Sequence, residues 1–156
     1  MVTPAEKYNK KLPTVALVGR TNVGKSTLFN KLLGEEGAIV SSKKGTTRTS
    51  NEAVVWWRGE SFKLIDTGGL DFDESKFESE IMAQVNMALA RADVIVMVTD
   101  GQEGILPQEK QIAEALRKDE EERVILAANK IDNRKQEKAM DYNQWYKMGL
   151  GEPVQI

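Results

Sequence analysis

Apolar positions fall along the chain in two rhythms. Mostly apolar runs, rich in branched residues, fall within 12–19, 93–100 and 124–128, each short enough for one strand and apolar enough to be buried on both faces. Between them, apolar residues recur every three or four positions, the period of a helix with one buried face. Leu28 and Leu32 sit four apart with Phe29 and Leu33 beside them, and Gly34 stands where that helix stops. Residues 78–91 carry Ile81, Val85 and Leu89, with Met82 on the same side, and 108–117 carry Ile112 and Leu116. The spacing predicts a last helix over 135–148, ending at Gly149, with Tyr142, Trp145 and Tyr146 packed into the core. Two further strand-like runs, 52–58 and 61–66, flank Gly59-Glu60 and read as a hairpin. Trp56 and Trp57 are expected to pack on the two faces of its first strand. Residues 118–123 read as a solvated, charged turn, and 153–156 begin one more strand.

Strands alternating with helices predict an α/β fold, a three-layer sandwich around a mostly parallel six-stranded sheet, with the hairpin adding one antiparallel edge strand. Residues 1–13 read as a flexible arm and 14–156 as one nucleotide-binding domain. Residues 35–50 show no period; a polar loop of that length inside a compact domain is functional or mobile. The 156 residues suffice for a sizeable core, with 40% hydrophobic and 29% charged positions. A net charge of −2 speaks against a general grip on nucleic acid through a basic surface, and no DNA partner is expected. Cysteine and histidine are both absent, which removes disulfides, thiolate metal sites and the commonest general base. No run approaches a membrane span and no secretory leader is visible, so the expectation is a cytoplasmic protein without a membrane partner.

The chemistry concentrates where strands end. Residues 19–27, G-R-T-N-V-G-K-S-T, follow one apolar run and open a helix, the order of a phosphate-binding P-loop. Gly19 and Gly24 allow the turn, and successive N–H groups from Asn22, Val23, Gly24, Lys25, Ser26 and Thr27 can face phosphate oxygens at the positive end of a helix dipole. Lys25 can reach the β- and γ-phosphates, and Ser26 can offer its hydroxyl to Mg2+. The loop alone does not choose the base. Asp66 closes the second hairpin strand and can hold the same Mg2+, directly or through water. Gly69, three residues on, leaves its N–H free for a γ-phosphate, so loss of that phosphate releases the loop. Asn129-Lys130-Ile131-Asp132 supplies base choice: the Asp132 carboxylate can accept the paired N–H donors of guanine, which adenine lacks. Lys130 can lay its stem over the base and Asn129 can brace the turn. Gly19, Asp66 and Asn129 all follow strand ends and should meet on one rim.

G-R-T-N-V-G-K-S-T, D-T-G-G-L and N-K-I-D together resemble the signature motifs of the TrmE–Era–EngA branch of translational-type GTPases. The resemblance covers nearly the whole chain and is nearest to the first GTP-binding domain of the EngA (Der) family, through A-D-V-I-V-M-V-T-D-G and the closing G-L-G-E-P as well. It implies GTP and GDP as ligands, GTP hydrolysis, and a switch acting in assembly of the large ribosomal subunit, with contacts to that subunit or its RNA made through other domains. It also maps the switch threonine onto Thr47, before Arg48, completing the Mg2+ and γ-phosphate contacts. The stretch K-G-T-T-R-T departs from the family, which has a proline before the glycine and an acid after the arginine. A fifth motif, a Ser-Ala turn supporting the guanine, would begin after Ile156, so the chain reads as a fragment of a longer protein.

Leu70 stands where many GTPases place a glutamine to orient water. Hydrolysis must then come from positioning and charge through Lys25, Asn22, Thr47 and Gly69. The resemblance implies that Asn22 helps bind K+ beside the phosphates, in the place of an arginine finger; the alternative is that it only tightens the loop. Slow hydrolysis that rises with K+ is the expectation. The G domain of a tRNA-modifying GTPase, or a module that senses GTP against GDP with negligible turnover, are the alternatives.

Overall fold

The computed structural model describes residues 11–34, 51–68, 77–119 and 121–156. The chain runs β1 (Thr14–Val18), α1 (Lys25–Gly34), β2 (Asn51–Trp57), β3 (Glu60–Asp66), α2 (Phe77–Arg91), β4 (Val94–Asp100), α3 (Pro107–Arg117), β5 (Val124–Asn129), α4 (Arg134–Ala139), α5 (Tyr142–Tyr146) and β6 (Val154–Gln155). The strands form one six-stranded sheet in the order β2-β3-β1-β4-β5-β6. Only β2 and β3 pair antiparallel; β1 runs parallel to both β3 and β4, and β5 runs parallel to β4 and β6. The expected sheet, with its antiparallel edge, is the one observed.

Alternation along the strands sorts side chains into two cores. Ala16, Val18, Ile65, Ile95, Met97, Leu126 and Ala128 face α2, α3 and Trp145. Leu17, Val55 and Leu64 face Phe29 of α1. Helices therefore cover both faces. Buried Thr99 accepts the indole N–H of Trp145 at 2.8 Å and donates to the Ala127 carbonyl at 2.7 Å, so its hydroxyl is used both ways. Of the expected arm, residues 1–10 lie outside the described residues; Pro13 already accepts from the Lys63 N–H at 2.8 Å.

Several local expectations need correction. The hairpin turn is Arg58-Gly59, both at positive φ (47° and 81°), and Glu60 already pairs with Trp57; a two-residue turn of that hand matches the twist of its strands. Trp56 and Trp57 do not pack on two faces: they are 44% and 57% exposed, because Val55 is the last position of β2 that a helix covers. Arg58 lies over the Trp57 ring, 4.6 Å from its centroid. In α1 the buried arc runs through Lys25 and Phe29 with Leu33 partly covered, leaving Leu32 exposed. In α2 it runs through Ile81, Val85 and Ala88, and Met82, about 100° further round, faces water.

The last predicted helix is two. Asn133 and Asp141 each cap a new start, accepting from the Gln136 and Asn143 N–H groups, and Met140 between them is extended and buried. Trp145 is in the core as expected, Tyr142 only partly, and Tyr146 is exposed. Arg123 is no solvated turn residue: it donates to the Leu89 and Ala92 carbonyls at the end of α2 and pairs with Asp119 at 2.8 Å, a cation on the negative end of a helix.

Candidate nucleotide site

The rim of the sheet where β1, β3, β4 and β5 end is one connected set of polar contacts. Gly19 leaves β1 at φ +153°, where a Cβ would stand 2.5 Å from the Val98 carbonyl oxygen; only glycine fits. The loop then turns through Asn22, itself left-handed at φ +69°, and Gly24 at φ +98°. A Cβ on Gly24 would fall 2.1 Å from Asn129 Nδ2, so the P-loop and the N-K-I-D turn touch at that point. Val23 is fully buried beneath the loop.

Lys25 opens α1 and folds back under the loop, 6% exposed, donating to the Gly19 carbonyl and to that of Arg20 at 3.0 Å. Burial pushes its ammonium down to about 8; Asp66 opposes that shift and Arg20 adds to it. Ser26 donates its hydroxyl to Asp66 Oδ2 at 3.2 Å, while Asp66 Oδ1 accepts the Gly68 N–H at 2.9 Å. Asp66 is fully buried. A Cβ on Gly68 would lie 2.5 Å from Lys25 Cε, so the segment after β3 rests on the lysine stem. Among the described residues no cluster of three or more His, Cys, Asp or Glu could hold a metal. One hydroxyl and one carboxylate are a hard, incomplete oxygen set, which fits an Mg2+ that keeps waters and shares phosphate oxygens.

On the other side, Asn129 Nδ2 donates to the Val23 carbonyl at 2.9 Å. Lys130, at φ +67°, donates to the Asn22 carbonyl at 2.9 Å and pairs with Asp100 at 2.8 Å. The structure thus brings together Gly19, Asn22, Val23, Gly24, Lys25, Ser26, Asp66, Asn129 and Lys130. Thr27 is exposed on the first turn of α1. Asp132 stands at the margin: it is exposed, and its backbone N–H is taken by Gln136 Oε1 at 2.6 Å. Thr47, Gly69 and Leu70 lie outside the described residues.

Sequence reasoning passes over four residues of this rim. Arg20 is 9% exposed and pairs with Glu109, which has no exposed surface, and with Glu103 at 2.7 Å. Burial works against its charge, but the two glutamates outweigh burial and hold it protonated. Glu109 also accepts the Leu106 N–H at 2.7 Å, closing the start of α3. Asp100 is the fourth. A glutamate three residues after a helix cap, and an aspartate ending the most apolar strand, were the available local signals; neither names its distant partner.

Residues 14–130 match the family described as 50S ribosome-binding GTPase. The chain belongs to that family. A curated relative, GTPase Der of Lactobacillus delbrueckii subsp. bulgaricus, is 43% identical over 145 residues, covering 93% of this chain and 33% of the relative. The chain thus spans about a third of the length of the curated relatives it matches. Among solved structures, an Aquifex aeolicus Era variant bound to GDP·AlF4− superposes with a TM-score of 0.67 at 34% identity, over 94% of this chain and 51% of that one. Era in complex with MgGDPNP and a segment of 16S ribosomal RNA gives 0.65 at 31%, over 95% and 51%. By membership this is a GTP-binding domain of the GTPase class. Among the described residues no helix is long and apolar enough to cross a membrane.

Proposed function

We propose that this rim binds Mg2+–GTP, hydrolyses it slowly with help from K+, and serves as the switch of a protein acting in assembly of the large ribosomal subunit in the cytoplasm. The observation that carries the nucleotide reading is that the P-loop touches both other motifs, through Ser26 to Asp66 and through the Val23 and Asn22 carbonyls to Asn129 and Lys130, which joins three motifs far apart in sequence. The family's description, 50S ribosome-binding GTPase, supports the ribosomal reading.

Each residue then has a task. The Lys25 ammonium, held on two loop carbonyls, exchanges them for β- and γ-phosphate oxygens when nucleotide enters. Ser26 and Asp66, whose oxygens lie 3.2 Å apart, would hold Mg2+, directly or through water, and the ion would supply charge neutralisation at the phosphates. Asn129 and Lys130 brace the loop, and the open Asp132 carboxylate accepts the guanine N–H pair. Asn22 offers its exposed carboxamide to K+, which supplies charge where an arginine finger would stand. Thr47 and Gly69 sense the γ-phosphate, and with leucine at position 70 no side chain there orients the water.

Titration with GDP, GTP and ATP tests the first part: equal affinity for ATP would remove the guanine assignment. Single-turnover phosphate release in K+ and in Na+ tests the second. Faster release in K+ is expected; equal rates would take Asn22 out of its role. Co-sedimentation of the longer relatives' counterpart with 50S subunits, dependent on GTP, tests the third.

A further inference from the structure

We propose that Asp100, at the end of β4, is a positioning residue of the nucleotide site, whose carboxylate pins the Lys130 ammonium against the phosphate loop. The inference rests on the guanine-nucleotide reading above and assigns a role to a residue outside all three motifs. Asp100 is 5% exposed and cannot swing. Its Oδ1 accepts the Gln102 and Glu103 N–H groups at 2.9 and 3.0 Å, which leaves Oδ2 aimed at Lys130 Nζ, 2.8 Å away. Burial pushes its carboxyl up, but Lys130 and those two N–H groups outweigh burial and hold it below the usual carboxylate range, so the charge is present at neutral pH.

The strand ends around it are locked as well. The Gly101 N–H donates to the Asn129 carbonyl at 2.8 Å, Gln102 Nε2 donates to the Lys130 carbonyl at 2.8 Å, and a Cβ on Gly101 would stand 2.4 Å from Ile131 Cδ1. Lys130 carries the link onward to the Asn22 carbonyl at 2.9 Å. Asn22 and Lys130 both have left-handed backbones, at φ +69° and +67°, a conformation that side chains other than glycine keep only where the surroundings hold them. One ammonium therefore ties the two strained turns, and Asp100 decides where that ammonium sits. Without the carboxylate, a lysine whose side chain is 40% exposed is free to leave for water, and the Asn22 carbonyl loses its donor.

Calorimetric affinity for Mg2+–GDP, with thermal unfolding as a fold check, tests this on the 156-residue chain in four forms: unsubstituted, Asp100→Asn, Lys130→Met, and the double variant. Asn keeps an oxygen for the two N–H groups but turns a donor toward Lys130. Asp100→Asn should lose roughly tenfold to a hundredfold in affinity, the range for a hydrogen bond to a charged group; affinity within about twofold of the unsubstituted chain would overturn the proposal. If that variant does not fold, Lys130→Met against the double variant decides: equal affinities support an action through Lys130, whereas a further loss in the double variant, showing that Asp100 acts independently, overturns it. Failure of the unsubstituted chain to bind GDP would instead end the guanine reading, and this inference with it.

Discussion

At the phosphate end of the site the charged side chains are buried and held twice; at the base end Asp132, the residue proposed to read the base, is exposed. Arg20, Lys25 and Asp66 are each 9% exposed or less, and each touches at least two polar partners. Asp132 is exposed and is fixed through its backbone N–H. The difference follows from the fold. The loop after β1 follows a strand that lies between β3 and β4, at the middle of the sheet. The turn after β5 lies one strand from the edge, beside a β6 of two residues. On the proposed reading, preorganisation is concentrated on the part of the ligand every nucleotide shares, and the carboxylate that would distinguish guanine stands on an exposed turn. Fixed dipoles and charges aimed at the phosphates are the effective arrangement for charge stabilisation.

Substitutions should sort along this gradient. Arg20→Ala should have the largest effect, leaving Glu109, whose carboxyl burial already pushes up, without its cation in a site with no exposed surface; breaking a buried pair costs about 3–5 kcal/mol, measurable by chemical denaturation. A loss under about 1 kcal/mol would mean that the pair is solvated and the two ends are alike. Gly24→Ala comes next. Its Cβ would meet Asn129 Nδ2 on a backbone at φ +98°, so the Asn129–Val23 bond must break, at about 1–3 kcal/mol in stability together with weaker GDP binding. Unchanged GDP affinity would separate the two turns that the structure joins.

The pH dependence should be smaller and of known sign. Lys25 releases its proton at about 8 in the folded chain and at 10.5 unfolded, so the unfolded chain binds more protons between those values. Stability of the nucleotide-free chain should therefore rise across that window, while GDP affinity falls as the ammonium is lost. Denaturation and GDP titration at pH 7.5 and 9.5 (about half a unit below and well above the lower value) check both arms; a parallel fall would remove burial as the cause. Asp132→Asn should hardly alter stability, within about 0.5 kcal/mol as for most exposed positions. It should still lower the preference for GTP over ATP by roughly a hundredfold or more. Retained preference would place base reading elsewhere.

The sequence carried much of this arrangement and stopped at identifiable places. The runs ending at Gly19, Asp66 and Asn129 announce strands because residues buried on both faces must be apolar, and three motifs at three strand ends imply a shared rim. Helix rotation was harder to read. Leu32 and Met82 lie in apolar clusters, yet the arc that meets the sheet is set by Lys25 tucking beneath the loop in one case and by Ala88 in the other. The break at Met140 escapes periodicity because Met140 is itself apolar, and only the caps Asn133 and Asp141 mark it. The pairs Arg20–Glu109 and Asp100–Lys130 span 89 and 30 residues, so no local pattern could join them. Trp56 and Trp57 misled through composition: large rings are usually covered, and at the end of this edge strand they stay 44% and 57% exposed.

The indole of Trp145 hydrogen-bonded to Thr99 has an optical consequence. It is the one tryptophan of three shielded from water, and its partner immediately precedes Asp100. In a chain with both hairpin tryptophans replaced by phenylalanine, its emission would be blue-shifted and resistant to acrylamide quenching. Intensity changes on adding nucleotide would then report, without any attached dye, on the strand end that braces the loop.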